Sequence, residues 1–262
     1  MMIKITSVVA TPNFNKRCMY VTFEIANTME SLTEYQFDVL RSDASNGDFE
    51  LIAINVRDFQ CEDYSANLAN QELQYYYKIR VTDKVTDETV ESDVASTMTY
   101  SENEYVTYLR HINKIYLEDI INSPKVKYLK KKKFGQYCSE CYDDVREKPR
   151  KQNCTCCYGT KFEGGYYTPI EISINHLVDS SAKQENLGMT GINTEEGPIQ
   201  LWTAEFPIIS PGDVLVFRNG TRFRVITWTS SDRAEQILRQ TIQAQKIPSS
   251  DIIYKFPIQE AP

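Results

Sequence analysis

Five of the seven cysteines fall between residues 138 and 157, and four of them form two Cys-x-x-Cys pairs, Cys138/Cys141 and Cys154/Cys157, with twelve residues between the pairs. Thiolates at this spacing come from two tight turns and can close tetrahedrally on one Zn²⁺, with Zn–S distances of about 2.3 Å. Four sulfurs fill the coordination sphere, so the expected site is closed and structural, with no position at which a water could be activated. Cysteines clustered in this way speak for a metal in a reducing compartment rather than a disulfide framework. Cys156 is a further thiol inside the second pair. It could replace Cys154 as a ligand, but the two-residue spacing prefers Cys154. Cys18 and Cys61 stand apart among strand-like neighbours and read as buried small hydrophobes.

Other reactive constellations are sparse. The chain has two histidines, His111 and His176, which restricts any nucleophile–base pairing and favours a non-enzymatic protein. Acidic pairs such as Asp143-Asp144 and Glu195-Glu196 lie in polar stretches, where solvation explains them. Gly159, Gly164 and Gly165 lack the following Lys-Ser/Thr of a phosphate loop and read as turn formers. Lys125, Lys127, Lys130, Lys131, Lys132 and Lys133 make the one basic cluster. They could contact phosphate or a partner, yet a solvated or salt-bridging face is the favoured reading. The net charge of −7, from 36 acidic and 29 basic residues, argues against a surface devoted to nucleic acid.

The elements that must carry these residues are mostly strands. Over the first 99 residues, short alternating runs appear near 3–8, 19–25, 35–41, 49–54, 75–81 and 88–92, with Asn46-Gly47 as a hairpin turn. That is the grammar of a small β-sandwich. The runs Tyr35-Gln-Phe-Asp-Val-Leu-Arg41, Gly47-Asp-Phe-Glu-Leu-Ile52 and Leu73-Gln-Tyr-Tyr-Tyr-Lys-Ile-Arg-Val81 resemble the C, C′ and F strands of a fibronectin type III domain. The tryptophan that many such domains place on strand B is absent, and Tyr20 and Phe23 stand in its place.

Residues 100–136 read as a helix and a basic connector. Ser101-Glu-Asn-Glu104 has the form of a capping box, Tyr105, Leu109, Ile112, Ile115, Tyr116 and Ile120 make one apolar stripe, and Pro124 ends the helix. Residues 137–169 form the zinc-ribbon-like module, too polar to fold without its metal. Residues 170–262 are expected to form a β-rich docking domain, a small β-barrel with strands at 170–174, 199–205, 213–218 and 222–229. Asn219-Gly220 turns a hairpin there, a short helix is expected at 232–244, and the end of the chain reads as extended, an edge strand or a tail on a neighbouring subunit. No apolar run approaches a membrane span, and the first residues lack the apolar core of a signal peptide, so synthesis and retention in the cytoplasm are expected.

Taken in order, a fibronectin-like domain, a helix, a Cys-x-x-Cys module with the tail Cys157-Tyr-Gly-Thr160, Gly164-Gly-Tyr166 and Pro169, and a barrel holding Pro211-Gly-Asp-Val-Leu-Val216 resemble virion structural proteins of tailed bacteriophages. Arg239-Gln240 and Asp251-Ile-Ile-Tyr254 carry the same resemblance. It implies a mainly β protein repeated in a homo-oligomeric ring at the neck, the head-to-tail connection. Its partners there would be portal, adaptor or tail components, and it would be made in the host cytoplasm. A baseplate or tail-attached position is the nearest alternative. Two other classes stay open: a zinc-ribbon nucleic-acid binder using the lysine cluster, and a glycan-binding module built on residues 1–99.

Overall fold

The computed structural model describes residues 3–13, 17–66, 74–96, 104–118, 123–151, 153–176, 198–233 and 236–258. The chain forms two compact units, the first holding Met1–Glu102, Lys132–Lys151 and Thr160–Gly164, the second Asn103–Lys131, Gln152–Gly159 and Gly165–Pro262. Both are mainly β.

In the first unit, strands β1 (Ile5–Asn13), β2 (Cys18–Ile25), β3 (Tyr35–Ser42), β4 (Glu50–Ala53), β5 (Gln60–Asp63), β6 (Tyr76–Asp83), β7 (Thr89–Glu91) and β8 (Ala95–Ser96) build two sheets. Their orders are β1-β2-β5 and β4-β3-β6-β7, with β8 also paired to β6. The strands likened to C, C′ and F therefore lie side by side, with β3 between the other two. Alternation places Tyr77, Ile79 and Val81 of β6 in the core, and Val21, Phe23 and Ile25 do the same for β2. Phe23, Phe37 and Phe59 knit the sheets together, with ring centroids 5.5 to 5.7 Å apart. Such aromatic pairs add about 0.5–1.5 kcal/mol each beyond the area they bury. Strand β5 is not visible as alternation, because its sequence Gln-Cys-Glu-Asp is polar. It is held by Asp63, whose buried carboxylate accepts from Arg41 Nη1 at 2.8 Å, the Tyr77 hydroxyl at 2.8 Å and Ser65 Oγ at 2.6 Å.

The remaining elements, in chain order, are α1 (Glu104–Glu118), β9 (Lys125–Leu129), β10 (Tyr142–Asp143), β11 (Lys148–Pro149), β12 (Ile170–Ser173), β13 (Asn175–His176), β14 (Ile199–Thr203), β15 (Val214–Val216), β16 (Arg222–Arg233) and β17 (Gln236–Lys246). In the second unit seven strands form one sheet in the order β12-β9-β15-β16-β17-β14-β13. Its two end strands, β12 and β13, are consecutive in sequence and separated by Ile174 alone. Val126, Tyr128, Ile172, Leu201, Leu215, Val225 and Ile242 pack together as its core. The Asn219-Gly220 turn joins β15 to β16: Gly220 takes a left-handed φ of 81°, and the Asn219 side chain accepts from Thr221 N.

Four expectations are corrected here. Residues 232–244 are not helical, since β17 pairs along β16 from Arg233↔Gln236 to Phe223↔Lys246. Leu238, Gln240, Ile242 and Ala244 alternate inward, and the buried Gln240 breaks the apolar half of that alternation, so its period of two is hidden in the sequence. Its amide accepts from Ile209 N at 2.9 Å and Trp228 Nε1 at 2.6 Å and donates to Ala204 O and Pro207 O at 2.8 Å, which makes it tolerable in the core. The helix α1 does form, and among its described side chains Val106, Arg110 and Leu117 are buried, while Tyr108, Ile115 and Tyr116 are exposed. Arg110 and Asn113 donate to the carbonyls of Ile237 and Leu238 on β17, and these bonds decide which face turns inward. Ser101 and Ile120 lie outside the described residues, as does the connector at 179–186. Residues 247–257 are not an extended run: Asp251 caps a 3-10 turn at Ile252–Lys255, and Ile247, Ile253 and Phe256 pack against Leu129, Val214 and Val216 of the same unit. The basic connector, too, contains a strand, because Val126 and Tyr128 alternate with Lys125 and Lys127 in β9.

No helix among the described residues is long and apolar enough to cross a membrane.

Candidate metal centre

The first Cys-x-x-Cys turn is built by backbone bonds. Tyr142 N donates to Cys138 O at 3.1 Å, Arg150 N to Cys141 O at 2.7 Å, and Cys138 N to Lys161 O at 2.9 Å. Strands β10 and β11 follow as a short hairpin, in which Asp143 accepts from the backbone of Val145 and Arg146 and Glu147 takes a φ of 52°. The Asp143 carboxylate is thus a turn former, where solvation alone was expected of the acidic pair.

The second turn repeats the device. Tyr158 N donates to Cys154 O at 2.9 Å, and Tyr158 and Gly159 both take positive φ to reverse the chain. Gly165, at φ 68°, lets the returning strand pass so close that a Cβ there would lie 2.6 Å from Cys157 O.

Together these turns bring Cys138, Cys141, Cys154 and Cys157 into one buried cluster whose four Sγ atoms all lie within 4.8 Å of one another. A tetrahedral tetrathiolate with Zn–S of about 2.3 Å requires sulfurs about 3.8 Å apart. A limit of 4.8 Å admits that spacing, none of the cysteines is in a disulfide, and the exposures are 0 to 6%. Four soft donors with no oxygen or nitrogen ligand beside them suit a structural metal of the zinc type and disfavour magnesium or calcium. Cys156 is half-buried and outside the cluster, so the spacing argument for Cys154 holds. Cys18 is buried and Cys61 half-buried, and burial together with the Asp63 and Glu62 charges pushes the Cys61 thiol up to about 11.

Sequence reading missed an aromatic brace beside the first turn. Tyr137 stacks on Tyr142 with centroids 3.9 Å apart and on Phe162 at 5.4 Å, and the Lys161 ammonium sits over both Tyr137 and Phe162. The hydrogen bond with Tyr137, along with burial and nearby acidic charge, pushes the Tyr142 phenol up to about 12. Three aromatics within the module at 137, 142 and 162 were the available signal.

The lysines are dispersed over several settings. Lys125 and Lys127 lie on β9, Lys125 pairing with Glu171 at 2.9 Å, and Lys131 Cδ lies 3.3 Å from where a Cβ on Gly212 would be. Lys132 donates to Glu163 O at 2.8 Å, Lys130 is half-buried and Lys133 is exposed. His111 is exposed on α1, and His176 pairs its backbone with Leu201 in β13, its side chain lying outside the described residues. Glu195 and Glu196 also lie outside them.

No family model matches the chain, and neither does any curated protein. Among solved structures, an Fn3-like protein from Clostridium thermocellum aligns with 36% of this chain and 88% of its own length, at 20% identity and a TM-score of 0.29.

Proposed function

We propose that this is a non-enzymatic assembly protein whose four-cysteine centre holds a structural Zn²⁺ and whose β units dock on neighbouring proteins. One observation carries the reading: four buried sulfurs within 4.8 Å of one another form a complete ligand set, in a segment with little apolar mass of its own. A closed tetrathiolate offers no site for substrate, and bound metal supplies the cohesion that such a segment lacks. Cys138, Cys141, Cys154 and Cys157 would hold the ion, and the brace of Tyr137, Tyr142 and Phe162 would keep the first turn in shape. We read residues 137–169 accordingly as a zinc-ribbon-like module.

The second unit fits a small closed β-barrel. Its end strands β12 and β13 are one run of chain bonded to β9 over Ile170–Ser173 and to β14 over Asn175–His176, which is how a sheet abolishes its edges. The resemblance of the sequence to virion structural proteins of tailed phages supports a place at the neck, on portal, adaptor or tail components, with baseplate attachment as the alternative. Native mass spectrometry of the full chain, before and after a thiolate-competing chelator, tests the reading. One zinc per chain in a discrete oligomer, both lost on chelation, is expected. A metal-free protein overturns the metal assignment, and turnover of a substrate by the purified protein overturns the non-enzymatic one.

A further inference from the structure

The first unit contains a cleft of about 430 Å³ that the metal centre does not use. Its floor is aromatic: Phe37, Phe59 and Phe134 line it, Phe59 meeting Phe37 at 5.5 Å and Phe134 at 5.3 Å in edge-to-face contacts. Its rim is cationic. Arg57, Lys84 and Lys132 line it against a single carboxylate, Glu163. Arg57 and Lys84 are exposed and form no ion pair among the described residues; Lys84 donates to Thr33 O at 2.9 Å. In a chain of net charge −7, the lining itself carries three cations to one carboxylate, with Glu30, Glu34 and Asp83 set back beside Tyr35.

The backbone at the floor is also unusual. Phe59 is buried at a φ of 55°, and Asn55, another lining residue, takes 54°. Left-handed backbone at a bulky aromatic costs about 1–2 kcal/mol and persists only where surrounding structure imposes it. Here it turns the Phe59 ring under the cleft, between the Phe37 and Phe134 rings.

We propose that this cleft binds an acidic peptide segment of a partner protein, with one aromatic or aliphatic side chain seated on the Phe37/Phe59/Phe134 floor and flanking carboxylates on Arg57 and Lys84. Charge complementarity selects this occupant. Exposed cations each contribute only about 0–1 kcal/mol to holding one anion, so a lone small anion is held weakly. An apolar anchor flanked by several carboxylates gains from the pocket and from both cations at once, and the rim steers its approach. The proposal stands apart from the virion reading and from the identity of the metal.

The test uses the full chain, zinc content checked, and a fluorescein-labelled Glu-Asp-Phe-Asp-Glu pentapeptide read by anisotropy. Saturable binding is expected, falling steeply with salt, with the Gln-Asn-Phe-Asn-Gln analogue at least tenfold weaker. Arg57→Glu with Lys84→Glu should lower affinity at least tenfold, while Arg146→Glu, an exposed cation outside the cleft, should leave it within twofold. Both reversals are at exposed positions, and unchanged metal content and denaturation midpoint would confirm that the variants fold. No saturable binding, equal binding of the amide analogue, or insensitivity to the double reversal overturns the proposal. So does competition by benzoate at a concentration equal to that of the pentapeptide, which would make the cleft a small-anion site, or salt-sensitive self-association lost in the double variant, which would make a second copy the occupant.

Discussion

Gly165 and Gly220 share nearly the same left-handed backbone, φ 68° and 81°, and differ in what surrounds them. A Cβ at Gly220 meets nothing within 4 Å, whereas one at Gly165 would lie 2.6 Å from Cys157 O and 3.1 Å from its carbonyl carbon. Alanine at 220 therefore costs only the conformational penalty, about 1–2 kcal/mol. Alanine at 165 adds an overlap with backbone that cannot rotate away, a further ~1–3 kcal/mol for forced displacement, giving roughly 2–5 kcal/mol in all. On the proposed reading the displaced atoms belong to a metal-holding cysteine of a module that folds with its metal, so the cost should appear in metal affinity. At about 1.4 kcal/mol per tenfold, Gly165→Ala should weaken zinc binding roughly 30- to 3,000-fold. Gly220→Ala should change it less than about threefold, since its strain of about 1–2 kcal/mol falls on the β15–β16 turn. Competition against a chromophoric zinc chelator, run on both variants beside the parent chain, measures this directly. Parental zinc affinity in Gly165→Ala would refute the argument that close passage of this strand shapes the second Cys-x-x-Cys turn.

Replacing Gln240 by alanine strands two donors and two carbonyls, one of each fully buried and the others half-buried, and urea denaturation should show a loss of roughly 2–4 kcal/mol, against under about 1 kcal/mol for exposed Gln245→Ala. Asp63 is buried, which alone would raise its pKa, but hydrogen bonds from Ser65, Tyr77 and Arg41 outweigh burial and hold it below the usual aspartate range. Its stabilisation is then complete above the unfolded value of about 3.9 and lost as pH falls through the lower folded value. Stability measured from pH 7 to pH 2 should accordingly show the gap between the parent chain and Asp63→Asn narrowing only below about pH 4. Iodoacetamide at pH 8, followed by peptide mass mapping, should label Cys156 first. Cys61 should react slowly because its thiol is pushed up to about 11, and the four clustered cysteines only after chelation.

The parts legible in the sequence were those in which one residue type carries the whole signal. Two Cys-x-x-Cys pairs have few meanings, and spacing picked out the four cysteines that the fold brings together. Asn219-Gly220 and the clean alternation of 19–25, 35–41 and 75–81 placed a hairpin and three strands to within a residue or two. Legibility failed where a buried polar group breaks the pattern. Gln240 disguised β17 as a helix, Asp63 concealed β5, and the bonds from Arg110 and Asn113 turned α1 away from its expected face. Each owes its place to partners distant in sequence, which no local window contains. The cationic cleft was hidden for the same reason, since Arg57, Lys84 and Lys132 are spread over more than 70 residues of chain.

The segment Ile170–His176 also has a mechanical meaning. A strand on an open sheet edge can be peeled away one bond at a time under a small pull. Here the first four residues are tied to β9 and, past Ile174, the last two are tied to β14, with Thr203 Oγ1 holding Ser173 O at 2.8 Å at the changeover. Tension entering at residue 169 would unzip one seam only to load the other, whose bonds face the opposite way. A protein that must transmit force between neighbours gains from such a crossing, because no single line of hydrogen bonds carries a tear through the sheet.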